Sequence, residues 1–399
     1  MNAGRRTDSV TTGRFTARDA SVGCVIEPFE VKLDEAAVTD LRDRLRRTRW
    51  PEAETVGDWS QGVPLAYAQD LCRDWAEDYD FGFAARVNAF PQYRTEIDGL
   101  GLHFLHVRSP EPDAFPLVLT HGWPGSVLEF LGVLGPLTDP RAHGGHPADA
   151  FHVVAPSLPG FGWSDKPSGT GWNVQRISRA WDTLMVSLGY DRYGAQGGDW
   201  GSWVTNVLAA VAPERVAGVH VNFLAVPLAG TFDDLTPAEQ KAISDLDEFR
   251  RTGSGYSGQQ STRPQTLGYG LTDSPAGQAA WIAEKFWAWT DNAGKPEDAL
   301  SRQELLDAIS VYWFTASAAS SGRMYWENTM RASDPVDVPA GVSVFPAEIV
   351  RPSRRQAELR YPDLRWFEEL PRGGHFAALE QPEALANEVR EFFRPLRRS

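Results

Sequence analysis

Apolar residues recur along the chain at two periods, and the change from one to the other divides it. From about Ile26 to Phe90 the spacing is helical: Ala37, Val38, Leu41 and Leu45 share a face behind an N-cap at Asp34. After the Gly62-Val63-Pro64 turn, Leu65, Ala68, Leu71, Cys72 and Trp75 mark a second amphipathic helix. From Tyr93 the pattern becomes that of strands. Tyr93–Ile97 and Leu102–Val107 flank Asp98-Gly99-Leu100-Gly101, which predicts a hairpin. Short apolar runs follow at Leu117–Leu119, Phe151–Ala155 and Val216–Val221. Helical patterns separate them, the clearest being Ile177, Trp181, Leu184, Met185 and Leu188, stopped by Gly189. Buried strands alternating with helices predict an α/β fold, a mostly parallel sheet covered on both faces.

The alternation lapses after about Asn222. Residues to about Asp337 read as mainly helical and rich in aromatics, with a Gly/Ser/Gln-rich loop near Gly253–Gln260. The strand pattern returns at Val342–Phe345, and a last helix carries Leu385, Val389 and Phe392 on one face. The expected organisation is a polar, disordered tail (1–25), a helical meander (26–92), a first core segment (93–222), a helical cap (223–337) and a second core segment (338–399).

Composition narrows the function. A chain of 399 residues, 42% hydrophobic, can bury a large core. Its net charge of −14 argues against a nucleic-acid partner and a polybasic membrane contact. No apolar run reaches the ~18 residues of a membrane span, and the polar start lacks the apolar segment of a secretory signal. Cys24 and Cys72 form neither a metal-ligand spacing nor a disulfide framework, so the expected compartment is the cytoplasm. His103 and His106, three apart on a strand, point to opposite faces, and His143 and His146 lack a third ligand nearby. No metal and no cofactor is therefore expected.

The chemistry centres on Ala195-Gln196-Gly197-Gly198-Asp199-Trp200-Gly201-Ser202-Trp203. Glycines flanking one polar residue before a helical run are the pattern of a nucleophile elbow, whose usual centre is serine. Here it is Asp199. A bland reading is an N-cap for the helix Ser202–Val211. Two further segments favour chemistry. His121-Gly122-Trp123-Pro124-Gly125 follows the strand Leu117–Thr120, where hydrolases of this layout place one oxyanion-hole amide. A second amide comes from the residue after the nucleophile. Those would be the backbone N–H groups of Trp123 and Trp200. Gly373-Gly374-His375-Phe376 precedes the last helix, where the catalytic histidine of such a fold falls. The acid between cap and histidine has five candidates: Asp334, Asp337, Glu348, Glu358 and Asp363. Glu348 follows the returning strand directly, a good place to meet His375, though on residues alone a surface glutamate reads equally well.

A carboxylate is ionised at neutral pH without help from a base. It can attack saturated carbon to form an alkyl ester, leaving the histidine free to activate water against that ester. The substrate must then carry a leaving group on saturated carbon, an epoxide oxygen or a halide.

These residues resemble the α/β-hydrolase-fold epoxide hydrolases of the microsomal type. The resemblance runs from about Ile26 to the C-terminus and rests on HGWPG, PGFGWSD at Pro159–Asp165, GGDWG, FPAEI and RGGHFAALEQPE taken together. It implies Asp199 as nucleophile, His375 as base and Glu348 as its acid partner. It also implies two cap tyrosines that protonate the epoxide oxygen: Tyr325 in Gly322–Asn328 and Tyr256 in Ser254-Gly255-Tyr256. Aromatic packing is the alternative for either. The chain lacks the N-terminal anchor of membrane-bound relatives, so a soluble form is expected. A finer resemblance, to epoxide hydrolases of enediyne antibiotic biosynthesis, implies a bulky aryl epoxide, with Trp287, Trp289 and Trp313 as candidate lining and aromatic core as the favoured reading for at least two of the three. The partners implied are an epoxide and water, with room for a homodimer. Two rivals share the fold: a haloalkane or haloacid dehalogenase, which would favour halide-binding N–H donors over paired tyrosines, and a non-catalytic binding protein.

Overall fold

The computed structural model describes residues 25–226, 228, 232–328 and 335–398. The segment read as a tail, apart from Val25, lies outside them, as do Cys24 and Asp334. Among the described residues, nine strands form one sheet. They are β1 (Glu27–Pro28), β2 (Gln92–Ile97), β3 (Leu100–Val107), β4 (Phe115–Thr120), β5 (Phe151–Pro156), β6 (Tyr193–Gly197), β7 (Val216–Val221), β8 (Ala340–Val344) and β9 (Leu364–Glu369). The order is β1-β2-β3-β5-β4-β6-β7-β8-β9. The β1–β2–β3–β5 edge is antiparallel, and from β5 across to β9 every pairing is parallel. This is the α/β-hydrolase fold.

The meander supplies α1 (Glu35–Arg46), α2 (Leu65–Glu77) and α3 (Phe83–Asn88). Asp34 caps α1 by accepting from the Ala36 amide. The crossovers are α4 (Leu131–Thr138), α5 (Val174–Ser187) and α6 (Asp199–Val211). Between β7 and β8 run α7 (Pro237–Thr252), α8 (Gly255–Thr262), α9 (Pro264–Asp273), α10 (Pro275–Trp289), α11 (Arg302–Phe314) and α12 (Ala318–Glu327). Then α13 (Arg354–Glu358) precedes β9, and α14 (Ala377–Glu380) and α15 (Pro382–Phe393) follow it. Helices α5 and α6 pack together on the sheet, as do α4 and α15. One apolar core joins sheet, meander and cap.

The meander braces the cap through buried polar contacts. Trp75 donates its indole N–H to Ser310 Oγ at 2.9 Å, and the Tyr79 hydroxyl donates to Asp307 Oδ1 at 2.6 Å. Arg86 forks onto the same Asp307.

The sequence pattern misplaces one element and passes over three strands, the first being the two-residue β1 inside the stretch read as helical. The loop expected near Gly253–Gln260 is largely α8. Its glycines and serines disfavour a helix, but Tyr256 and Gln260 bury against neighbouring helices, and packing overrides propensity. Strand β6 is buried at every position and so shows no alternation, and β9 is an edge strand rich in charge.

The elbow depends on glycine where β6 hands over to α6. A Cβ on Gly201 would lie 1.8 Å from the Thr120 carbonyl oxygen, and one on Gly197 would lie 2.3 Å from the Gly201 carbonyl carbon. Both obstacles are backbone and cannot swing aside. Gly201→Ala is therefore expected to destabilise the protein by about 3 kcal/mol, read as a fall in the urea midpoint. An unchanged midpoint would contradict this account of the elbow.

Candidate active site

Four loops at the carboxyl ends of parallel strands converge, as the open-sheet rule expects. The loop after β6 holds Asp199 at φ +48°, a left-handed conformation uncommon for a residue with a side chain. Its carboxylate does not cap its own helix. Asp199 is the first residue of α6, and its Oδ1 instead accepts the Trp123 backbone N–H at 2.8 Å. The loop after β4 reaches it only because Gly122 lacks a side chain: a Cβ there would lie 2.1 Å from Asp199 Oδ1. As the second residue of α6, Trp200 has a backbone N–H without a partner in its own helix. His121 fixes the β4 loop from behind. Burial lowers its pKa to about 4, so it is neutral; Nδ1–H donates to the Gly122 carbonyl, and Nε2 accepts from the Leu158 amide.

The other two loops carry His375 and Glu348. The Ala347 amide donates to the Gly373 carbonyl at 3.1 Å, and Ala347 bridges Gly374, which sets the β8 and β9 extensions side by side. His375 Nδ1 then lies 2.8 Å from Glu348 Oε1, and His375 Nε2 lies 3.3 Å from Asp199 Oδ2. The His375 and Glu348 side chains are almost wholly buried, whereas that of Asp199 is 17% exposed. Burial by itself would depress the His375 pKa. Glu348 and Asp199 outweigh it and hold the pKa well above the ordinary value. The cap also holds this loop: the His375 amide donates to the Trp289 carbonyl at 2.8 Å. Of the other acids considered, Asp337 is exposed, Glu358 pairs with Arg354 and Asp363 pairs with Arg365.

Tyr256 and Tyr325 are both buried over the carboxylate and meet edge to face at 5.8 Å. Tyr256 stacks on Trp123 at 5.1 Å, and Tyr325 stands edge-on to Trp200 at 4.9 Å. Burial, reinforced by Asp199, pushes both phenols well above their usual pKa, so each remains a proton donor at neutral pH. Trp289 completes the wall, its ring 5.0 Å from that of His375 and 5.1 Å from that of Tyr256. The other two tryptophans pack elsewhere, as aromatic core. Trp287 lies flat against Trp59 of the meander at 4.9 Å, and Trp313 is edge-on to Trp75 at 6.3 Å. Both rings are consumed in joining cap to meander, because an exposed apolar face on those helices needs cover.

Two polar residues near the carboxylate were not anticipated from the sequence, Glu129 and Asn222. The signal for Glu129 is a lone acid in the apolar run Val127-Leu128-Glu129-Phe130-Leu131. Asn222, just past β7, carries no motif.

The fold is that of an α/β hydrolase, and the tight turn between β6 and α6 carries a carboxylate, Asp199. The comparisons agree on the fold and give the family. Residues 26–130 match the family model described as epoxide hydrolase N terminus, and residues 116–239 match the alpha/beta hydrolase fold. A Stigmatella aurantiaca protein provisionally named epoxide hydrolase is 56% identical, covering 93% of this chain and 86% of its own. Epoxide hydrolase 1 of Sus scrofa is 34% identical over 92% of this chain and 88% of its own. The solved juvenile hormone epoxide hydrolase of Bombyx mori superposes with a TM-score of 0.86 at 30% identity, covering 94% of this chain and 95% of its own. The Aspergillus niger epoxide hydrolase gives 0.85 at 32%, covering 94% and 98%. The chain belongs to the epoxide hydrolase family. No helix among the described residues is long and apolar enough to cross a membrane.

Proposed function

We propose that this epoxide hydrolase opens its substrate in two covalent steps. Asp199 Oδ2 attacks an epoxide carbon while Tyr256 and Tyr325 donate to the departing oxygen, giving a hydroxyalkyl ester. His375, oriented by Glu348, then takes a proton from water, and the water oxygen adds to the Asp199 carboxyl carbon. The charge that develops on Oδ1 meets the amides of Trp123 and Trp200. Collapse expels the diol, whose alkoxide recovers the proton from His375. The observation that carries this reading is the split use of one carboxylate: Oδ1 sits on the Trp123 amide while Oδ2 faces His375.

The aromatic walls formed by Trp123, Trp289, Tyr256 and Tyr325 favour a bulky apolar or aryl epoxide. An enediyne-type biosynthetic substrate is one member of that class. Halide displacement would need N–H donors aimed at the leaving group. Two buried phenols suit an alkoxide better. The test uses an aryl epoxide such as styrene oxide beside a chloroalkane. Diol without chloride release supports the reading, and chloride release without diol sinks it.

Tyr325→Phe and Tyr256→Phe should each slow formation of the ester by roughly 10–100-fold, with the double variant losing more than either. Hydrolysis of the ester should be nearly unaffected. Rapid-quench kinetics separate the two steps, and a loss confined to hydrolysis would contradict the assigned role.

A further inference from the structure

Against the carboxylate, between the loops after β4, β6, β7 and β9, lies a small pocket with about 20 Å³ of room. Room for one water requires about 10–15 Å³ and a few polar partners. The polar lining here is His375, Asp199, Asn222 and Glu129. Two of these are the groups that must touch the hydrolytic water. Asn222 spends its carbonyl oxygen on the Gln196 amide at 2.9 Å, and its NH2 group faces Gly198. The Glu129 carboxyl lies over Gly125, where a Cβ would be 2.8 Å from Oε2. Glycine at 125 is what lets it approach. Glu129 also lines a second cavity of about 250 Å³ on the cap side, whose polar residues include Arg86, Gln303 and Asp307. It thus stands where a water-sized chamber meets a larger, partly polar space.

We propose that Glu129 holds the hydrolytic water, accepting one of its O–H bonds while His375 Nε2 accepts the other and the oxygen lone pair faces the Asp199 carboxyl carbon. In the step, the water oxygen bonds to that carbon and one proton passes to His375. The carbonyl electron pair moves to Oδ1. Glu129 gains and loses no proton. Its environment suits that part. Burial raises its pKa to about 8, countered by His375, reinforced by Asp199 and eased by the Gly122 amide. An uncharged carboxyl does not repel the developing oxyanion.

This inference rests on the covalent two-step reading and is tested apart from it. Glu129→Leu keeps bulk and removes the acceptor, whereas Glu129→Gln keeps an acceptor oxygen. With styrene oxide, rapid quench and intact-protein mass should show ester formation unchanged in both. Ester hydrolysis should fall roughly 10-fold in Glu129→Leu, with kcat and KM falling together as alkyl-enzyme accumulates, and Glu129→Gln should restore most of it. Wild-type hydrolysis in Glu129→Leu overturns the proposal. So does an equal loss in both variants, or a matching loss in ester formation, which would place Glu129 in the architecture rather than at the water. Trapped ester in His375→Gln alongside any of those results removes only this inference. No ester in His375→Gln removes the reading beneath it.

Discussion

Asp199→Asn is expected to lower kcat by roughly 10⁴-fold or more while leaving the fold in place. The physical case is unusually clean. Asparagine tolerates the left-handed backbone at this position as aspartate does. Its carbonyl oxygen can still accept the Trp123 amide. What disappears is the anionic oxygen facing His375, the one assigned to attack carbon. Steady-state diol formation checks the loss, and thermal unfolding checks that nothing else changed. Substantial turnover in a well-folded variant would mean that Asp199 is an anchor for the loop after β4, not the nucleophile.

His375→Gln should divide the reaction rather than abolish it. Ester formation needs Asp199 and the two phenols, all present. Hydrolysis needs a base, so it should fall by roughly 10³-fold or more, and the protein should gain the mass of one substrate. The same geometry predicts a pH dependence. In the resting enzyme His375 lies between Glu348 and Asp199, and both hold its proton on. Esterification converts Asp199 to a neutral group and removes one of those charges. The His375 pKa then falls, and the imidazole becomes free to act as base. Ester hydrolysis should accordingly rise with pH as His375 deprotonates in the alkyl-enzyme. Glu348→Gln should move that rise to lower pH. The stability linkage has the matching sign. A histidine whose folded pKa exceeds its unfolded value of about 6.5 stabilises the fold fully below that pH. That contribution is lost as pH climbs through the raised folded value. A hydrolysis rate that falls as pH rises from acid to neutral would contradict the assignment.

The parts of this site most legible in the sequence are those that short-range backbone chemistry dictates. Gly197, Gly198 and Gly201 around Asp199 announce a crowded turn, and the structure shows the crowding against Thr120. HGWPG marks the loop after β4 as a source of an oxyanion-hole amide, and the structure adds that Gly122 is what lets Asp199 approach it. The hairpin at Asp98-Gly99 and the amphipathic helices α1, α2 and α5 follow from periodicity, because each has one buried face. Glu348 is different. Its residue pattern alone leaves a surface glutamate equally open; the resemblance through FPAEI singles it out, and the Ala347–Gly374 bridge is the tertiary contact that sets its loop beside that of His375. For Trp287 and Trp313 the choice between substrate lining and aromatic core is likewise open in the sequence. A tryptophan's sequence position does not say which of two aromatic surfaces, substrate or meander, will cover it. Glu129 was missed because one acid in an apolar run reads as a helix-terminal charge until the pocket against Asp199 gives it a neighbour.

The most direct test of the covalent step is a single turnover in heavy-oxygen water with enzyme in excess over epoxide. If Asp199 supplies the attacking oxygen, the first diol leaves with ordinary oxygen, and the peptide containing Asp199 takes up one heavy atom from solvent. If the first diol instead carries solvent oxygen and that peptide stays unlabelled, water attacks the epoxide directly and the two-step account is wrong.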